Sequence, residues 1–191
     1  MATIIITNAN AGDFGVSDGD IYIIDPSLTD DVTFTNVGGT DVNFEVQFNA
    51  TNTNGPKFAF TGDAGMNPTF TIPDGVNLAN VEINATNAAS STVNIGNNVE
   101  LRSYTGSDLG DDTFTAGDNF DVDGNLDLGG GTNSFVAGTN FNIDGTTIDI
   151  FGGDDGNSFT LGAGADINNI SLAMAMTRSC WETARSITTC M

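Results

Sequence analysis

The chain has no histidine, and its 191 residues include only 4 lysines and arginines against 25 aspartates and glutamates, for a formal charge of −21. Proline (4), cysteine (2) and tryptophan (1) are also scarce. Without histidine, Ser/His/Asp and Cys/His catalysis is excluded, and any zinc site would lack imidazole. With so few cations the chain cannot neutralise the phosphates of nucleic acid or of an anionic membrane. No apolar run approaches the ~18 residues of a membrane span. The start, Met1-Ala-Thr-Ile-Ile-Ile-Thr-Asn, has neither the basic segment nor the apolar length of a signal peptide.

The scarce residues are unevenly placed. Residues 173–191 hold Arg178, Arg185, Trp181, Cys180 and Cys190, so residues 1–172 carry 24 acidic and 2 basic side chains and no cysteine. No disulfide framework can hold that body together. A chain so acidic repels itself, and bound metal cations are one way to offset the repulsion.

What the body does have is a repeat. Five apolar anchors, Phe70, Val93, Phe114, Phe135 and Phe159, recur at intervals of 23, 21, 21 and 24. Apolar residues follow each anchor at the second position (Ile72, Ile95, Ala116, Ala137, Leu161), the sixth (Val76, Val99, Phe120, Phe141, Ala165) and the eighth (Leu78, Leu101, Val122, Ile143, Ile167). The third position, Pro73, Gly96, Gly117, Gly138 and Gly162, marks a turn. A further alternating pair appears as Val81/Ile83, Leu126/Leu128, Ile148/Ile150 and Ile170/Leu172, with Tyr104 in a comparable place in the Val93 repeat. Alternation over three or four residues is the period of a strand with one buried face. Three such segments per repeat, separated by Gly/Asn/Asp turns, predict an all-β, three-sided parallel β-solenoid whose coils have the length of those intervals. Residues 62–172 form its repeats. Residues 1–61, with strand-like runs at 3–6, 21–24, 32–35, 42–48 and 58–60, read as a β-rich cap or as degenerate coils. Open solenoid ends also allow end-to-end self-association.

The turns ahead of the anchors are rich in Gly, Asp and Asn. They read Gly106-Ser-Asp-Leu-Gly-Asp-Asp-Thr-Phe114, Gly129-Gly-Gly-Thr-Asn-Ser-Phe135 and Gly152-Gly-Asp-Asp-Gly-Asn-Ser-Phe159. Residues 106–159 resemble the calcium-binding nonapeptides of the repeats-in-toxin family, in which glycines turn the backbone and a carboxylate precedes a buried apolar residue by two positions. Gly110 and Asp112 fit that pattern ahead of Phe114; Asn133 and Asn157 stand where the family has aspartate. The resemblance implies calcium as the cofactor, with Asp111, Asp112, Asn133, Asp154, Asp155 and Asn157 as candidate ligands. It also implies a bacterial, extracellular protein exported by type I secretion. Turns of any β-solenoid would be polar in the same way.

Two outward columns offer other readings. Asn77, Glu100, Asp121, Asn142 and Asp166, seven positions after each anchor, form either a metal-binding ladder or a column in which asparagine dilutes like-charge repulsion. Thr69, Thr92, Thr113, Ser134 and Ser158 before the anchors, with Thr71, Asn94, Thr115, Val136 and Thr160 after them, make a hydroxyl face. That face resembles the ice-binding surface of β-helical antifreeze proteins, and it would equally suit a polysaccharide. Three-sided β-helices also include polysaccharide lyases and hydrolases. The two basic residues of the body, Lys57 and Arg102, lie in different stretches, and no carboxylate pair stands out for glycosidase chemistry. The expectation is therefore a protein that is not an enzyme.

Residues 173–191 contradict the body in composition, and the genetic code suggests why. Moving the reading frame back one base forces glycine at the Met174/Ala175 junction, aspartate at Met176/Thr177, leucine at Cys180/Trp181, glycine at Trp181/Glu182, and Asn or Asp at Glu182/Thr183. Those forced residues fall in the order of a further coil. The tail thus reads as an out-of-frame coil of a longer solenoid, or else as a short C-terminal cap built on Trp181.

Overall fold

A computed structural model describes residues 1–61, 65–144, 148–150, 157–167 and 170–172. The candidate ligands Asp154 and Asp155, and the tail from residue 173, lie outside them. The described residues form strands and turns and no helix, because glycine and asparagine interrupt every run before a helical period can establish itself.

Strands alternate between two long parallel sheets. The first contains, in spatial and chain order, β1 (Thr3–Ile6), β3 (Ile21–Ile24), β5 (Val42–Phe48), β7 (Met66–Ile72), β9 (Ser91–Ile95), β11 (Asp112–Ala116), β14 (Ser134–Ala137) and β17 (Ser158–Leu161). The second contains β2 (Asp13–Val16), β4 (Val32–Asn36), β6 (Lys57–Thr61), β8 (Asn77–Asn84), β10 (Glu100–Thr105), β12 (Asp121–Val122), β15 (Asn142–Ile143) and β18 (Asp166–Ile167), with β13 (Leu126–Asp127) also paired to β10. β16 (Ile148–Ile150) and β19 (Ile170–Leu172) pair with each other. Every pairing among the described residues is parallel, so the chain climbs as a β-solenoid. Along the first sheet the register runs from Thr3 to Ile21, Glu45, Thr69, Thr92, Thr113, Ser134 and Ser158, and its opening step is the shortest.

The third side comes from a bend in the second sheet. β10 meets β12 through Glu100–Asp121 and Leu101–Val122 and meets β13 through Tyr104–Leu126, and its register against β8 shifts between Leu101 and Ser103. Below this level, among the described residues, β6 pairs with β4 and meets β8 only along its far half, through Lys57–Glu82 and Phe58–Ile83. The near half of β8 stands over a loop instead: the Asn77 amide donates to Thr51 Oγ1 (3.1 Å), and the Asn52 amide donates to the Asn77 carbonyl (3.0 Å). Residues 1–61 supply β1 to β6 to the same two sheets.

Inside, the predicted columns pair in register: Phe70–Val93–Phe114–Phe135–Phe159, Ile72–Ile95–Ala116–Ala137–Leu161, and Leu78–Leu101–Val122–Ile143–Ile167. A column of aromatic rings runs along the axis through Tyr22, Phe34, Phe60, Phe70, Tyr104, Phe114, Phe135 and Phe159, with successive centroids 4.9–6.5 Å apart, edge-to-face at Tyr22–Phe34 and from Phe60 to Phe114 and stacked at Phe34–Phe60 and from Phe114 to Phe159. Where the anchor is the smaller Val93, Tyr104 reaches in from the third side and fills the gap between Phe70 and Phe114. Unbroken packing matters because each coil of a solenoid is held mainly by its two neighbours.

The corner after the first sheet is held by side-chain ladders. Asp74 Oδ1 accepts from the Asn97 amide (2.7 Å), Asn97 Oδ1 from Asp118 (2.8 Å) and Asp118 Oδ1 from Thr139 (2.6 Å). Beside them Asn98, Asn119 and Asn140 adopt φ of 56°, 56° and 55°, a left-handed conformation that asparagine tolerates better than most residues. Their amides also stack, Asn119 Nδ2 on Asn98 Oδ1 and Asn140 Nδ2 on Asn119 Oδ1, both at 2.9 Å. Asn119→Ala should therefore cost about 1–2 kcal/mol by thermal melting, from left-handed strain and two lost bonds. Asn119→Gly, which relieves the strain, should cost less. Equal losses in the two variants would show that backbone strain is not what asparagine relieves here.

Candidate functional site

The candidate ligands that the structure describes divide between the inside and the outside of one corner. Alternation along Gly110-Asp111-Asp112-Thr113 turns Asp111 outward and exposed, and Asp112 inward at 1 % exposure. Asp112 sits one coil above Ser91 and one below Asn133, with Asn157 next in line. In this column each side chain serves the coil beneath it. Asn157 Oδ1 accepts from the Asn133 amide and Asn133 Oδ1 from the Asp112 amide, both at 2.7 Å. Asn133 Nδ2 donates to the Gly130 (2.9 Å) and Leu128 (3.2 Å) carbonyls. Asp112 accepts from the Ser107 amide (2.8 Å) and from the Ser91 hydroxyl, whose oxygen also meets the Tyr104 hydroxyl. Asp111 Oδ1 takes the Thr132 amide at 2.6 Å.

Burial dominates the electrostatics of this corner. It raises the Asp112 carboxyl from 3.8 to about 6, against the opposing hydrogen bonds from Ser91 and Ser107. Burial, with Asp112 nearby, likewise raises the Tyr104 phenol far above its ordinary value. Asp112, Asn133 and Asn157 thus have structural hydrogen bonds within the corner, while Asp111 faces solvent.

A second group of acids lies on the second side. The column Asn77–Glu100–Asp121–Asn142–Asp166 pairs residue for residue in register. Just past the ends of β12 and β15, Asp123 and Asp144 are both exposed. One carboxylate oxygen from each of Asp121, Asp123 and Asp144 lies within 4.8 Å of the others. Asn142 Nδ2 donates to Asp121 Oδ1 (2.9 Å) and to Asp144 Oδ1 (3.2 Å), and Asn77 Nδ2 donates to Glu100. Glu100 is raised above the ordinary carboxylate range by burial first and then by Asp123 and Asp121; Asp121 is raised by burial, with Asp144 and Asp123 adding to it. Asparagine therefore bridges part of the repulsion in this column, and the three aspartates still offer converging oxygens of the kind a hard cation accepts. Asp123 and Asp144 are not among the residues singled out from the sequence. The alternation Asp121-Val122-Asp123 and Asn142-Ile143-Asp144 is the signal that puts them beside the column.

Two other surfaces complete the picture. Lys57 and Arg102, far apart in sequence, converge on one carboxylate: Lys57 Nζ lies 2.9 Å from Glu82 Oε2 and Arg102 Nε 2.9 Å from Glu82 Oε1. Hydrogen bonding to Glu82 raises the lysine above its ordinary value, and the same bond lowers Glu82. Both cations sit in strands, so trypsin should cut at Lys57 and Arg102 only as the solenoid melts. Digestion at these residues well below the melting temperature, followed by electrophoresis, would contradict that expectation. On the first sheet Thr69, Thr92, Thr113, Ser134 and Ser158 pair in one column, with Thr71, Asn94, Thr115, Val136 and Thr160 in the next.

Among the described residues no helix is long and apolar enough to cross a membrane. No protein-family model, curated protein or solved structure matches this chain.

Proposed function

We propose that this chain is a structural, non-enzymatic repeat rod that binds calcium, and that it works outside the cell as part of a repeats-in-toxin-like or adhesin-type protein. The observation that carries the proposal is the convergence of Asp121, Asp123 and Asp144 on a chain of net charge −21. Calcium takes six to eight oxygen ligands and accepts carboxylates, amide carbonyls and water together. An ion at this point would replace repulsion between successive coils with attraction and so stiffen the rod. In calcium-poor cytosol the same acids would loosen the chain, which suits export, and the resemblance of the Gly/Asp turns to repeats-in-toxin nonapeptides supports that route.

The test is thermal melting with calcium and with chelator. Calcium at about a hundred times its dissociation constant should add about 2.7 kcal/mol, and Asp123→Asn with Asp144→Asn should abolish most of that gain. An unchanged melting temperature in chelator would overturn calcium as the stabiliser. The in-register hydroxyl columns favour a second reading, a rod that docks on a repetitive surface such as ice or polysaccharide. Such binding would persist in chelator and fail when Thr92 and Thr113 are replaced by bulky residues.

A further inference from the structure

We infer that the Asn54–Gly55 peptide is a site of spontaneous deamidation, independent of any metal. It is the single Asn-Gly pair in the chain. It lies in the loop between β5 and β6, with Asn54 exposed. Glycine has no Cβ to shield its backbone nitrogen, and the Gly55 amide has no hydrogen-bond partner among the described residues. Among the described residues the Asn54 side chain is held by one bond, from Nδ2 to the Pro26 carbonyl at 3.3 Å. The contrast is with Asn98, Asn119 and Asn140. Those are followed by Val99, Phe120 and Phe141, and the fold ties their amides into a ladder.

In the reaction the Gly55 nitrogen attacks Asn54 Cγ. A C–N bond forms, the Cγ–Nδ2 bond breaks, and ammonia leaves with the proton released by the Gly55 nitrogen, giving a succinimide. Water then opens either carbonyl of the ring to an aspartyl or an isoaspartyl residue at position 54. Both products add a negative charge to an already acidic chain. The isoaspartyl form also lengthens the main chain beside a close coil-to-coil contact, since a Cβ on Gly55 would meet the Asn80 carbonyl oxygen at 3.1 Å.

The experiment is to age the folded chain at mildly alkaline pH and follow peptides by mass spectrometry, alongside Asn54→Gln and a sample unfolded in urea. The expected result is replacement of NH2 by OH at Asn54 ahead of every other asparagine, with that component missing in Asn54→Gln. The inference is overturned if Asn54 stays intact in the folded chain while it reacts in urea, because the loop then protects it. It is equally overturned if another asparagine in the folded chain reacts first.

Discussion

Phe135→Ala should destabilise the protein by about 3–5 kcal/mol, the range for removing a fully buried aromatic side chain. Phe135 is 0 % exposed, and its ring lies 5.3 Å from Phe114, 5.3 Å from Phe141 and 4.9 Å from Phe159. Truncation removes contacts with the coils on both sides as well as within its own. A solenoid is held by nearest-neighbour interfaces, so the damage falls on the link between β11 and β17. Denaturant unfolding should show a lower midpoint, and amide exchange should speed up beyond Phe135 more than before it. Phe135→Leu keeps most of the volume and should lose much less. A loss below about 1 kcal/mol for the alanine variant would contradict the continuous aromatic column, because single-residue damage that small is typical of surface positions.

The second large effect is on pH dependence. Asp112 is raised in the folded state to about 6 from 3.8, so folded protein holds this proton more tightly than unfolded chain. Its contribution to stability is therefore full below about pH 3.8 and lost as pH rises through about 6. The rise from 3.8 to about 6 corresponds to about 3 kcal/mol. Asp112→Asn removes the titration, keeps an acceptor for the Ser107 amide, and extends the Asn133–Asn157 column by one asparagine. The difference in unfolding free energy between native and variant chains should therefore change by about that amount between about pH 3 and pH 7.5. Parallel curves for the two proteins would mean that the carboxyl is not held out of water as the structure describes. Asp112→Ala should be worse than Asp112→Asn at every pH, because it leaves Ser91 and the Ser107 amide without their acceptor.

Much of the architecture was legible because a solenoid writes its geometry into one period. Apolar residues at fixed offsets from Phe70, Val93, Phe114, Phe135 and Phe159 predict columns, and those columns pair in register. The N-terminal stretch before β7 was harder, since the opening step from Thr3 to Ile21 is short and the second side at 51–55 is a loop. Irregular length hides a coil from an alignment even where its strands join the same sheets. The candidate ligands show a different limit. Neighbours in sequence, Asp111 and Asp112, face opposite ways, and only one of them is in solvent.

By itself the sequence determined the class of the protein, because period-two alternation that recurs at near-constant spacing can bury its apolar face only by stacking parallel coils. It also determined the charge of −21, which sets successive coils against one another. Only the tertiary structure decided which acids meet. Asp121, Asp123 and Asp144 converge because adjacent coils place equivalent positions side by side, and Lys57 and Arg102 share Glu82 because three successive strands of one sheet carry them. The physical reason is range. Burial and backbone pairing follow local pattern, whereas a charge cluster depends on a few ångströms between coils, and register supplies that distance.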